Sequence, residues 1–156
     1  MICKFIKKLF KRQKKTDYTV SLPPKDYSST TTPEGRQFLI ELNEFRFKNN
    51  MPRLYWSQNL IYLAEYRVQH WKDNKLVRNE LHNGFLGHKK PYETTLRYGK
   101  VTENATYGNK NPLIGMIQSK RGHRENLLGD YTGMGLCIDH TDPNNRYTCL
   151  ILAKRA

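Results

Sequence analysis

Met134-Gly135-Leu136-Cys137-Ile138-Asp139 and Tyr147-Thr148-Cys149-Leu150-Ile151-Leu152-Ala153-Lys154 are two apolar runs separated by Thr141-Asp142-Pro143-Asn144-Asn145. The Asp, Pro and Asn residues between them supply turn chemistry. The pair therefore reads as a β-hairpin with strands over Met134–Asp139 and Tyr147–Lys154. If Asp139 pairs with Tyr147, Cys137 and Cys149 face each other, either as a cross-strand disulfide or as two buried free thiols. Upstream, the apolar period changes to that of helices. Phe38, Leu39, Leu42, Phe45 and Arg46 recur at helical spacing in a helix that runs to about Asn49 and stops before Met51-Pro52. Thr32 suits its N-cap and Pro33 its first position. A second helix follows Ser57, another N-cap residue, and carries Leu60, Ile61, Ala64, Val68 and Trp71 on one face. A loop holding His82-Asn83-Gly84-Phe85, a strand over Tyr98–Asn104 and two short helices, Pro112 to about Gln118 and Arg124 to Leu128, lead to the hairpin. Helices first, then helices interleaved with few strands, predict a layered α+β domain.

The chain has 156 residues, enough for one domain with a core that needs no disulfide or metal staple. No run of 18 apolar residues occurs, which predicts no membrane-spanning helix. Three cysteines, with no Cys-x-x-Cys pair, predict neither a disulfide scaffold nor a zinc ribbon. The net charge of +13 asks for an anionic partner. Seven of those charges lie within residues 1–15, which contain no acid, so the remaining 141 residues carry only +6. In this segment Ile2, Phe5, Ile6, Leu9 and Phe10 fall on one helical face, while Lys4, Lys7, Lys8 and Lys11 fill the other. That pattern suits the surface of an anionic membrane, with a solvated basic tail as the plain alternative. Nucleic acid ranks third as a partner, because no aromatic stacking platform accompanies the charge. The segment lacks an apolar h-region and a small-residue cleavage site, so it does not read as a signal peptide. Residues 16–32, rich in Ser, Thr and Pro, read as a linker to a domain over 33–156.

Several segments occur in the order found in the CAP superfamily, the SCP-domain proteins that include cysteine-rich secretory and pathogenesis-related proteins. Leu42-Asn43-Glu44-Phe45-Arg46 and Pro52-Arg53-Leu54-Tyr55-Trp56 resemble its opening helices, and His82-Asn83-Gly84 its first histidine loop. Thr102-Glu103-Asn104-Ala105-Thr106-Tyr107-Gly108 resembles its Gly-Glu-Asn element. Gly122-His123-Arg124-Glu125-Asn126-Leu127-Leu128 resembles its bacterial Gly-His-Arg element. The resemblance covers about residues 35–154. It implies a three-layer α-β-α sandwich around a mainly antiparallel sheet, and usually an extracellular location. It also implies a cleft in which two His and two Glu converge and the histidines hold a divalent metal. The matching residues are His82, Glu103 and His123. The fourth position falls near Ser119, Thr102 replaces the leading Gly, and Met116 or Ile117 stands where the family has Trp.

Two neutral imidazoles suit zinc or a similar divalent ion, with coordination positions left for water. Two functions follow from this set. The first is a binding or interaction module whose cleft takes a lipid, peptide or wall fragment. The second is a metal-dependent hydrolase with His82 and His123 as ligands and Glu103 as base. A purely structural His82–Glu103–His123 network is the third reading. Asn104, Ser119, Arg124 and Asn126 are expected to support the cleft. Asn104 and Asn126 would do so by pairing backbone groups, Arg124 by pairing with Glu125 or another surface acid. A Ser119–His123–Glu103 nucleophilic triad ranks low, since Ser119 lacks a strained nucleophile turn. Arg46 is expected to meet a carboxylate inside the domain, and Trp56 and Trp71 to pack in or beside the core.

Overall fold

The computed structural model describes residues 32–155; the amphipathic segment 1–15 and nearly all of the linker lie outside the described residues. Helix α1 spans Pro33–Lys48, and Thr32 caps it by accepting the Gly35 N–H at 3.0 Å. A two-residue strand, β1 (Tyr55–Trp56), leads into α2 (Gln58–Asp73). A 3₁₀ helix (Arg78–His82) and α3 (Phe85–Thr94) follow. The remainder is β2 (Tyr98–Tyr107), α4 (Pro112–Ile117), α5 (His123–Leu127), β3 (Gly133–Ile138) and β4 (Tyr147–Arg155). The sheet order is β1-β3-β4-β2. The β3–β4 and β4–β2 pairs are antiparallel, and only the short β1–β3 pair is parallel.

The central strands are buried on both faces, which is why their sequences read as continuous apolar runs. Side chains alternate across a strand. Cys137, Cys149, Ile151 and Ala153 enter one core with Leu60, Ala64, Trp71 and Leu81. Met134, Leu136, Ile138, Leu150 and Leu152 enter the other with Phe38, Leu42, Met116 and Leu127. Helix α2 thus covers one face, α1, α4 and α5 the other, and the expected three-layer α-β-α sandwich results.

Local differences from the sequence pattern have identifiable causes. His82 closes the 3₁₀ helix and Phe85 opens α3, where a loop is expected. Gly84, at φ 77°, makes the break between them. Only Tyr92 of α3 is buried, so the helix offers little apolar period to read. Strand β2 extends past Asn104 because Ala105, Thr106 and Tyr107 pair with Cys149, Thr148 and Tyr147. Ser57 precedes α2, but its hydroxyl hydrogen-bonds the Tyr98 hydroxyl at 2.8 Å and makes no cap. Arg46 meets carbonyls rather than a carboxylate: those of Pro52, Leu127, Gly129 and Tyr131. These four acceptors lie at two chain bends, at Pro52 and over residues 127–131, and Asp130 in the second bend acts on Arg46 through space without an ion pair. Trp71 is fully buried and Trp56 half-buried. Cys137 and Cys149 are register partners, as the hairpin reading requires, and both are free, buried thiols. Burial pushes both thiols well up, which leaves them unreactive.

Glu65 is a buried acid within the core. It lies on the buried side of α2 at 4% exposure, and neither carboxylate oxygen has a hydrogen-bond partner. Burial raises its pKa to about 8, so the folded protein holds it protonated at neutral pH. In the unfolded chain it ionises near 4.5. Stability from this group is therefore complete below pH 4.5, declines as pH rises towards 8, and levels off beyond. Glu65→Leu is expected to remove that decline and to raise stability at pH 8 by about 3 kcal/mol, with little change at pH 4. Denaturant melts at the two pH values check this; a variant with the wild-type pH slope would overturn it.

Candidate binding cleft

The edge strand β2 organises the site because adjacent residues on it face opposite layers. Glu103 turns towards the α2 layer and Asn104 towards the α5 layer. Each then ties one histidine-bearing segment to the sheet.

On the first side, Glu103 is buried at 4% exposure. Arg67 of α2, fully buried, donates to it through Nε (2.5 Å to Oε2) and Nη2 (3.1 Å to Oε1). His82 Nδ1 lies 2.9 Å from the same Oε1, and the Cys149 thiol lies 3.8 Å from Oε2. Arg67 also donates to the Asn83 and Leu81 carbonyls and to His88 Nδ1. The Leu81 carbonyl takes a second bond from Trp71 Nε1 at 2.6 Å. The segment from Leu81 to Asn83 is thereby fastened to α2 and β2 through one guanidinium. His88, desolvated and close to Arg67 and His70, has its pKa lowered to about 4 and is neutral at physiological pH.

On the second side, the Asn104 amide donates to the His123 carbonyl at 2.9 Å and accepts from Asn126 at 2.9 Å. The asparagines thus pair backbone and one another as expected. Arg124 does not pair with an acid. It donates to the Ile117 carbonyl at 3.3 Å and its guanidinium stacks 5.0 Å above Phe45, because the turn into α5 turns it back over the α1 layer. The Ser119 hydroxyl accepts the Arg121 N–H at 3.1 Å. With Glu103 bound to His82 and Arg67, Ser119, His123 and Glu103 form no triad.

Between these sides, the His82 and His123 rings stand 6.2 Å apart at 61°. They line a cavity of about 580 Å³ together with Arg78, Leu81, Ala105, Tyr107 and Arg121. Burial, reinforced by His82 and Arg121, lowers the His123 pKa, so that ring is neutral near pH 7. Glu103 as a carboxylate can only accept, so this contact favours an N–H at His82 Nδ1 and turns Nε2 away from it. That is the arrangement in which metal-binding histidines are commonly held. His82 and His123 are the residues that would hold a divalent ion, as two imidazole ligands. Among the described residues no group of three or more His, Cys, Asp or Glu is arranged to hold a metal.

Arg67 escapes a motif-based reading. Its signal is positional: it falls between Ala64 and Trp71 on the apolar face of α2, where a charge requires a buried partner.

The sandwich, with a histidine pair in a cleft beside the edge strand, defines an SCP-type domain. The chain belongs to the cysteine-rich secretory protein family, CAP, whose family profile matches residues 39–152. No curated protein matches the sequence. Among solved structures, an outer surface protein of Borrelia burgdorferi superposes with a TM-score of 0.69 at 18% identity, covering 81% of this chain and 96% of that one. An extracellular SCP-domain protein of Bacillus anthracis gives 0.63 at 20% identity, covering 80% of this chain and 44% of that one. A cysteine-rich secretory protein of Staphylococcus aureus gives 0.55 at 20% identity, covering 77% and 39%. This chain therefore spans under half the length of the last two. At these identities the likeness concerns the fold.

Proposed function

We propose that this domain is a binding module whose cleft receives a small lipid, peptide or wall-fragment ligand without transforming it. One observation carries this reading: Glu103, the carboxylate the hydrolase reading would use as base, is buried with both oxygens engaged by Arg67 and His82. It positions His82 and has no free lone pair aimed into the cleft. His82 and His123 would hold a divalent ion, which when bound supplies Lewis acidity. With two protein ligands the affinity is expected to be modest. Calorimetry with zinc should show weak binding that His82→Ala/His123→Ala abolishes. Hydrolysis of a p-nitrophenyl ester should stay at background with zinc present. Zinc-dependent hydrolysis lost in Glu103→Gln would replace this reading with that of a hydrolase.

The basic amphipathic pattern of residues 1–15 supports attachment of the module to an anionic membrane or similar surface. Sedimentation with phosphatidylglycerol vesicles checks this. Lys4, Lys7, Lys8 and Lys11 changed together to Gln should lose the binding, as should high salt. Undiminished binding by that variant would refute the attachment.

A further inference from the structure

The cavity is charged in an uneven way. Arg78, at the start of the 3₁₀ helix, and Arg121, in the loop before α5, both line it. No Asp or Glu is among the lining residues. The acids on these elements sit outside the lining: Glu80 Oε2 accepts the Val77 N–H at 3.2 Å, and Glu125 is exposed on α5, close enough to act on His123 through space. Among the described residues neither the Arg78 nor the Arg121 guanidinium has a hydrogen-bond or ion-pair partner. Arg78 is moreover held at φ 51°, a left-handed conformation that disfavours any side chain with a Cβ. Two unpaired forks facing one cavity, with the Asn79 amide beside them, are recognition groups without a recognised partner.

We propose that this cleft recognises a phosphate monoester through Arg78 and Arg121. The proposal rests on the binding-module reading above and names its ligand chemistry. A carboxylate has two oxygens and one charge, which one guanidinium satisfies. A phosphate monoester presents three terminal oxygens and close to two charges, matching two forks and an amide donor. Leu81, Ala105 and Tyr107 supply an apolar wall for the esterified body, and about 580 Å³ is ample for a small-molecule site. The same group occurs on soluble phosphate esters and on phosphatidic acid.

Calorimetry and amide NMR on the full chain, with EDTA present to exclude a metal-carried anion, test this. Phenyl phosphate is expected to bind, benzoate much more weakly. Arg78→Gly and Arg121→Ala should each weaken phenyl phosphate by about tenfold. Arg78→Gly also relieves the strained φ, so a loss of binding cannot be ascribed to unfolding. His82→Ala/His123→Ala should keep the binding. Added affinity for phosphatidic acid over phosphatidylcholine vesicles, lost in Arg78→Gly/Arg121→Ala, assigns the lipid source; its absence beside phenyl phosphate binding assigns a soluble ester. Phenyl phosphate binding that ignores both arginine substitutions, or that requires added zinc, overturns the proposal. Perturbation of the Ala105 and Tyr107 amides by neutral phenyl β-glucoside, with no phosphate binding, overturns it while leaving the cleft a binding site. Silence towards every probe counts against both.

Discussion

Arg67→Ala is expected to cost about 3–5 kcal/mol of folding stability. The guanidinium is fully buried and neutralises Glu103, itself buried, while also engaging the Leu81 and Asn83 carbonyls. Removing it leaves a carboxylate in a low-dielectric interior with only His82 and a thiol as neighbours. It also strips donors from two chain segments at once. Glu103→Ala should be costly for the mirror reason, an uncompensated buried cation. In Arg67→Ala/Glu103→Ala neither charge remains, so the double variant should lose clearly less than the two single losses combined. Urea denaturation of the four proteins measures the coupling. A single-variant cost below about 1 kcal/mol would mean that the pair is not the anchor of the histidine segment.

The second large effect belongs to Gly135. Strand β3 passes so close beneath α2 that a Cβ at this position would stand 2.0 Å from the Leu60 carbonyl carbon and 2.3 Å from the Ile61 nitrogen. These are backbone atoms, so no rotamer change relieves the clash. Helix and sheet must separate, and the core between them opens. Gly135→Ala is expected to destabilise by about 3 kcal/mol or more. Gly87→Ala is the matched control: it lies in α3 with nothing within 4 Å, and should be neutral or slightly stabilising. Thermal melts of the two variants separate the cases. Equal behaviour would show that the helix–strand approach is not limiting.

The hairpin strands and helix α2 show what could be read before the fold was known. The apolar runs around Cys137 and Cys149 announce a hairpin because a strand buried on both faces has no alternation to disguise it. The helices α1 and α2 are legible from the spacing of Leu42 and Arg46, or of Leu60, Ala64 and Trp71. Arg67 and Glu65 stand on that buried face of α2, and their charge on an apolar stripe marks both as unusual. What each meets there is invisible locally. Arg67 finds Glu103, 36 residues on, whereas Glu65 finds no partner and takes up a proton instead. Helix α3 was hidden for the opposite reason, since one buried residue makes no period.

His82, Glu103 and His123 are legible as candidates through motif resemblance, and the charge of residues 1–15 through composition. Local chemistry determined the types of the strongly periodic elements, the Thr32 cap and the concentration of charge in residues 1–15, because these depend on neighbours within a turn or two. The tertiary structure decided which side of β2 each residue serves. Strand alternation sends Glu103 into one layer and Asn104 into the other, so that two distant histidine segments meet across the edge strand. It also placed Glu103 in the interior, engaged by Arg67 and His82. Its state depends on Arg67 arriving from another helix, and a residue's partners across the core are set by packing rather than by the residues beside it in the chain.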